Sequence, residues 1–219
     1  MRARLSSSRP HSPPAQPTAS ADDAQRGQSL VEMALLLPLL LILFMGIIEF
    51  ALAFNATLGI NRASQDAALV ASEAGNAPGA DCLILNSIEG DVTAPNDKRK
   101  ILEVQIQRTS PSAGSVYSYS AYSRSGSTTC TLSDGTTVTI PYSLTASGYP
   151  ISQRCNVLSG CPGMTPARTS VDNIAVQIKY QYTWQTPLSG LLDIIDGHGP
   201  KGTTYTFAKR NAFRMEPQL

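Results

Sequence analysis

The sequence predicts an α+β protein: a long N-terminal transmembrane helix continuing into an amphipathic rod, then a domain with a short helix and a mainly antiparallel sheet. Three stretches carry that reading. From Met33 through Ile48 no side chain is charged, and apart from Glu49 the apolar character runs on to Phe54. At about 1.5 Å per residue, Met33 to Phe54 reaches roughly 33 Å, the thickness of a bilayer's hydrocarbon core. Beyond it, Ala56, Ile60, Ala63, Ala67, Val70 or Ala71, and Ala74 recur at helical spacing, with Asn61, Arg62, Gln65, Asp66 and Glu73 between them. Late in the chain, Ile174, Val176, Ile178, Tyr180, Tyr182 and Trp184 alternate with Ala175, Gln177, Lys179, Gln181 and Thr183, the period of a strand.

Taken in order, residues 1–27 form a leader rich in Ser, Pro, Ala and Gln with no apolar periodicity, a composition that predicts disorder. Arg2, Arg4, Arg9 and Arg26 outweigh Asp22 and Asp23 there, and Arg62 beyond the apolar run. This excess of positive charge puts the N-terminus in the cytoplasm and the rest outside. Residues 28–75 are the transmembrane helix and its extension. Pro38 inside it removes one ladder hydrogen bond, a loss that neighbouring helices accommodate. A buried core helix is one competing reading, but a domain of this size rarely surrounds such a run on all sides. A secretory signal cut near Ala51-Leu52-Ala53 is another. Glu49 close to that site, and helical sequence continuing through it, argue against cleavage there. The rod ends near Gly75-Asn76 with Pro78 beyond, and its small-residue face suits close approach of another helix or of its own domain.

Residues 76–219 form the α+β domain. Leu83, Ile84, Ile88 and Val92 keep helical spacing, so a second helix covers Ala80 to about Val92, closed by Pro95-Asn96. In Ile101–Gln107 the period changes, with Leu102, Val104 and Ile106 facing one way and Glu103, Gln105 and Gln107 the other. Val116–Tyr122 and Thr136–Ile140 are further candidate strands. Ser143 to Ser170 reads as a long loop pinned by Cys155 and Cys161. Leu188–Ile195 is a short apolar stretch, read as a helical turn on the domain or a dip toward the membrane surface. The last strand, about Thr203 to Met215, carries Tyr205, Phe207 and Phe213, and the slip in its alternation predicts a bulge.

The 219 residues carry 15% charged side chains and a formal net charge of +1, so no basic excess points to nucleic acid. Cys82, Cys130, Cys155 and Cys161 all follow the apolar run, and an even count on one side of a membrane favours disulfides in an oxidising compartment. Of the three possible pairings we expect Cys155 with Cys161 and Cys82 with Cys130. Reduced structural thiols are the alternative. His11 and His198 lack ligand-like spacing to the cysteines, so no metal site is expected.

Glu32, a carboxylate at the head of the apolar run, calls for a specific partner. Cleavage after Gly27 supplies one, a new α-amine on Gln28 one helical turn away or within reach of the Glu32 of a neighbouring subunit. Arg26-Gly27-Gln28 followed by Glu32 resembles a prepilin-peptidase site. The stretch GQSLVEMALLLPLLLILFMGIIEFALAF closely resembles the N-terminus of TadE-like pilus-assembly proteins, and the likeness continues through Asn61–Ala68 and returns at Arg214–Pro217. That resemblance implies a pilin-like domain and a minor pilin or pseudopilin of the tight-adherence (Flp) type IV pilus system. It also implies a prepilin-type peptidase and other pilin subunits as partners, with Gly27 and Gln28 as the processing site and Glu32 in subunit assembly. Major pilins of that system usually carry Tyr after the Glu; Met33 stands there in this chain and favours an accessory subunit.

No catalytic constellation emerges. Gly197–Thr203 fails the phosphate-loop spacing and contains Pro200, so it reads as a hairpin turn. HExxH, GxSxG and paired Cys/His signatures are missing from the sequence. Asn55-Ala56-Thr57 matches a glycosylation acceptor but sits at the membrane edge. Tyr117, Tyr119, Tyr122, Tyr142 and Tyr149 read either as an adhesive surface or as ordinary sheet faces and turns. The expectation is a structural subunit and not an enzyme, with no cofactor, crossing the membrane once. The alternative is a membrane-anchored extracytoplasmic binding domain or enzyme.

Overall fold

The computed structural model describes residues 21–111, 114–187, 190 and 204–217. Residues 1–20 of the leader, most of Leu188–Ile195 and the whole of Gly197–Thr203 lie outside the described residues, and the readings made of them above are carried no further. The fold is α+β, with helix α1 (Ala21–Ala74), helix α2 (Ala80–Asp91) and strands β1 (Ile101–Thr109), β2 (Val116–Ser123), β3 (Thr128–Thr131), β4 (Thr137–Ile140), β5 (Ser143–Ser147), β6 (Asn173–Thr183) and β7 (Thr204–Arg214). By contacts the chain divides into two units, Met1–Phe44 and Met45–Leu219.

In the first unit, α1 is already helical at Ala21, ahead of the expected start at residue 28, and continues through Pro38. Between residues 28 and 42 every side chain is exposed. The apolar window of this helix is only 6% buried, the reverse of what a core helix shows. It is one helix long and apolar enough to cross a membrane, and none of the described residues of its own unit covers it.

The second unit is a two-layer sandwich. Its sheet runs β5-β2-β1-β6-β7 with every neighbouring pair antiparallel. One face carries Val104 and Ile106 of β1 and Ile174, Val176 and Ile178 of β6, all fully buried. Against that core lie Ala56, Ile60, Ala63, Ala67 and Ala71 of α1 and Ile84, Leu85 and Ile88 of α2. The alanine stripe lets backbone approach backbone, so that Ser64 Oγ donates to the Val176 carbonyl at 2.8 Å. The domain's own core takes up Ala56, Ile60, Ala63, Ala67 and Ala71 of this face, while Val70 and Ala74 are only partly buried. On the other side of the sheet the buried Gln107 donates through Nε2 to both Gln105 Oε1 and Gln177 Oε1 at 2.8 Å, so its amide is satisfied by neighbouring side chains.

Four local expectations are corrected. Leu102 is 38% exposed while Ile101 is 2% exposed, because the β1–β6 register shifts between Ile101 and Glu103. This extra residue moves Ile101 into the place the alternation assigns to Leu102. No bulge interrupts β7, which pairs with β6 without a shift from Asn173↔Arg214 to Thr183↔Thr204. The slip in its pattern comes from Asn211, which shares the face of Phe207 and Phe213 and donates through Nδ2 to the Asn61 carbonyl at 3.1 Å. The loop expected from Ser143 starts later, since Ser143–Ser147 is the edge strand β5, followed by a 3-10 turn at Ile151–Gln153. β3 and β4 form a separate two-stranded hairpin, of which only β4 was anticipated.

Both expected cysteine pairs are within bonding distance. Cys82–Cys130 ties α2 to the β3–β4 hairpin, and Cys155–Cys161 closes a short loop before β6.

Candidate functional site

The N-terminal part of the candidate site lies on α1. Gln28 Nε2 donates to Glu32 Oε1 at 3.3 Å, so the helix does place these two residues one turn apart, both exposed. Gly27 is also helical, whereas a peptidase site calls for an extended backbone there. Only a few helical residues precede it, and glycine weakens a helix by roughly 0.5–1 kcal/mol relative to alanine. Opening this end of the helix is therefore a local event, of the kind that helix ends undergo readily. The apolar side chains that follow, from Leu35 to Phe44, are solvent-exposed.

Glu49 enters the sequence reading as a lone charge in the apolar run and as an argument against cleavage near Ala51–Ala53, with no partner assigned. It is 3% exposed and fully engaged. Tyr182 Oη donates to Glu49 Oε1 at 2.6 Å, and the backbone N–H groups of Gln185 and Thr186 donate to Oε2 at 3.1 and 2.8 Å. A carboxylate held by two backbone N–H groups and a phenol is compensated for the loss of water. In return it fixes the chain that leaves β6. Burial, then the Glu49 carboxylate, pushes the Tyr182 phenol above its ordinary range. A signal for this role was present: Glu49 is the one charge between Met33 and Phe54, and such a group needs a named partner.

Helix α2 and the loop before β6 contribute three more carboxylates, each joined to an arginine and a tyrosine. Asp81 pairs with Arg154 and accepts from Tyr122 Oη, while the wholly buried Arg154 guanidinium lies 5.4 Å from the Tyr149 ring centre. Glu89 receives Arg124 Nε and Nη2 at 3.0 and 2.8 Å and Tyr142 Oη at 2.8 Å. Asp172 accepts from Tyr149 Oη at 3.0 Å and from the Cys155 N–H at 3.1 Å, with Arg168 at 3.5 Å. These contacts divide the five tyrosines. Tyr142 and Tyr149 are buried struts and Tyr122 is half-buried on Asp81; Tyr117 and Tyr119 alone are exposed.

Among the described residues no group of His, Cys, Asp and Glu is arranged to hold a metal ion. The chain's end is tied back to the helix: the Met215 N–H donates to the Asp172 carbonyl at 3.0 Å and the Glu216 N–H to the Ser72 carbonyl at 2.9 Å.

The family model described as TadE-like protein matches residues 27–69. The matched segment contains Gly27, Gln28, Glu32, Glu49 and most of the alanine stripe, and stops short of α2, the sheet and Arg214–Pro217. No curated protein and no solved structure matches the chain.

Proposed function

We propose that this chain, TadE-like over residues 27–69 and by that likeness linked to Tad pilus assembly, is a minor pilin or pseudopilin-like structural subunit and not an enzyme. The observation that carries the reading is the exposed apolar segment of α1, headed by Gly27, Gln28 and Glu32. A helix that leaves its apolar side chains exposed needs lipid or the helices of other subunits around it. Glu32 then serves assembly. After a prepilin-type peptidase cuts between Gly27 and Gln28, the new α-amine lies beside Glu32 of the same chain or of a neighbour. An ion pair there contributes most when shielded from water, and removal of one partner is costly. The two cysteine pairs support an extracytoplasmic position for the second unit, with the leader in the cytoplasm.

Two measurements on membrane-extracted protein test this. Intact mass is expected to show loss of residues 1–27, and Gly27→Ala to slow that loss; a mature chain that retains the leader rejects the processing step. Glu32→Gln is expected to insert normally yet to recover fewer pilin partners on co-purification. Undiminished recovery removes Glu32 from the assembly mechanism.

A further inference from the structure

Around the Glu49 anchor the second unit holds an apolar cleft of about 340 Å³, walled by Gly46, Phe50 and Ala53 of α1 and by Tyr182, Trp184 and Tyr205 from the end of the sheet. All of these residues lie within the unit that begins at Met45. Phe50 is 73% exposed and Tyr205 62% exposed, so the rim is open. The one ionisable group on α1 here, Glu49, spends its oxygens on Tyr182, Gln185 and Thr186.

We infer that this cleft is a lipid site, taking one acyl chain of a phospholipid from the leaflet on the domain's side of the membrane. Its helical wall belongs to the apolar run that crosses the bilayer, so the cleft continues a surface already in contact with hydrocarbon. The opposite wall supplies Trp184 and Tyr205, side chains that combine an apolar ring with a polar tip and collect where hydrocarbon meets headgroups. The lining distinguishes the occupant: the walls are apolar and the Glu49 oxygens are already engaged, so the cleft offers nothing to grip a headgroup and takes the headgroup-proximal flank of one hydrocarbon chain along its open rim. The lipid contact and the Glu49 contact act together: the carboxylate holds the chain after β6 against α1, and that placement makes the aromatic wall.

Trp184 is the single tryptophan of the chain, so its fluorescence reports on this site alone. The experiment uses the full chain reconstituted in phosphatidylcholine vesicles whose acyl chains carry bromine at defined depths. Bromolipid is expected to quench Trp184, most strongly with bromine near the headgroup end, while aqueous iodide quenches it weakly. Iodide quenching without bromolipid quenching overturns the inference. So does bromolipid quenching that disappears as the protein-to-lipid ratio rises, because a neighbouring subunit then fills the cleft. Gly46→Leu adds a side chain at a position where a Cβ meets nothing within 4 Å, and it is expected to reduce the bromolipid quenching by filling the cleft. Unchanged quenching in a folded Gly46→Leu protein also counts against the site. The inference rests on the membrane-spanning reading of α1. Release of the chain from membranes at alkaline pH would overturn both, whereas a retained chain with Trp184 insensitive to bromolipid overturns the lipid site alone.

Discussion

Tyr182 and Glu49, 133 positions apart in sequence, are joined by a hydrogen bond of 2.6 Å from phenol to carboxylate. With the N–H groups of Gln185 and Thr186 on the same carboxylate, this contact is expected to act as a unit. Glu49→Ala leaves two backbone donors and a phenol without their acceptor, and hydrogen bonds to charged groups contribute about 1.5–3 kcal/mol each. We expect a loss of at least about 3 kcal/mol in urea unfolding of the detergent-solubilised chain, and about 1–2 kcal/mol for Tyr182→Phe. A double variant no worse than Glu49→Ala would demonstrate the coupling; additive losses would refute it.

Arg154 is wholly buried and has Asp81 as its charge partner. Removing one member of such a pair leaves a buried charge uncompensated, which costs about 3–5 kcal/mol. Arg154→Ala and Asp81→Ala should each lower stability by that amount, measured by chemical unfolding. A change below about 1 kcal/mol, the range of exposed pairs, would show that water reaches the guanidinium in solution.

Tyr142 and Tyr149 predict an alkaline limit to stability. Burial first, and then Glu89 beside Tyr142 and Asp172 beside Tyr149, hold both phenols well above their ordinary range. In the unfolded chain each loses its proton near about pH 10. Above that pH the unfolded state binds fewer protons than the folded one, so stability is intact below about pH 10 and falls as pH rises beyond it. The slope is up to about 1.4 kcal/mol per pH unit for each tyrosine, and Tyr142→Phe should remove one tyrosine's share. Unfolding free energies at a series of pH values from about 8 upward measure it.

The cysteine pairs differ in the loops they close, with sequence separations of 48 for Cys82–Cys130 and 6 for Cys155–Cys161. Disulfides contribute about 2–4 kcal/mol, more for longer loops. Replacing Cys82 and Cys130 with Ala should therefore destabilise more than replacing Cys155 and Cys161. Peptide mapping without reduction checks the connectivity first, and four free thiols in freshly extracted protein would contradict both pairs and the oxidising compartment.

The helices and strand β6 were legible because their signals are long. The alanine positions of α1 bury as their spacing dictates, and Ile174 through Tyr182 point inward with one period. Short, hydroxyl-rich elements were not legible. β3 and β5 have four and five residues of mostly Ser and Thr, with no alternation to distinguish them from a loop. Leu102 was misplaced because a register shift is set by pairing with β6 and leaves no mark in β1 itself. Of the candidate site, the Gln28–Glu32 spacing follows from helical geometry alone. The role of Glu49 does not, since its partners come from the far end of the chain and only the oddness of a carboxylate among apolar neighbours hints at them.

The alanine stripe of α1 has a consequence for proteolysis. Ala63, Ala67 and Ala71 are wholly buried while Gln65, Asp66 and Leu69 are exposed, so this stretch of continuous helix is one wall of the domain's core and no separate linker joins it to the Glu49 anchor. A protease therefore has no cut between Ala56 and Ala74 that would release an intact second unit: cleavage there removes a wall of the core. Release of a folded fragment would need a cut on the N-terminal side of Glu49, within the apolar run.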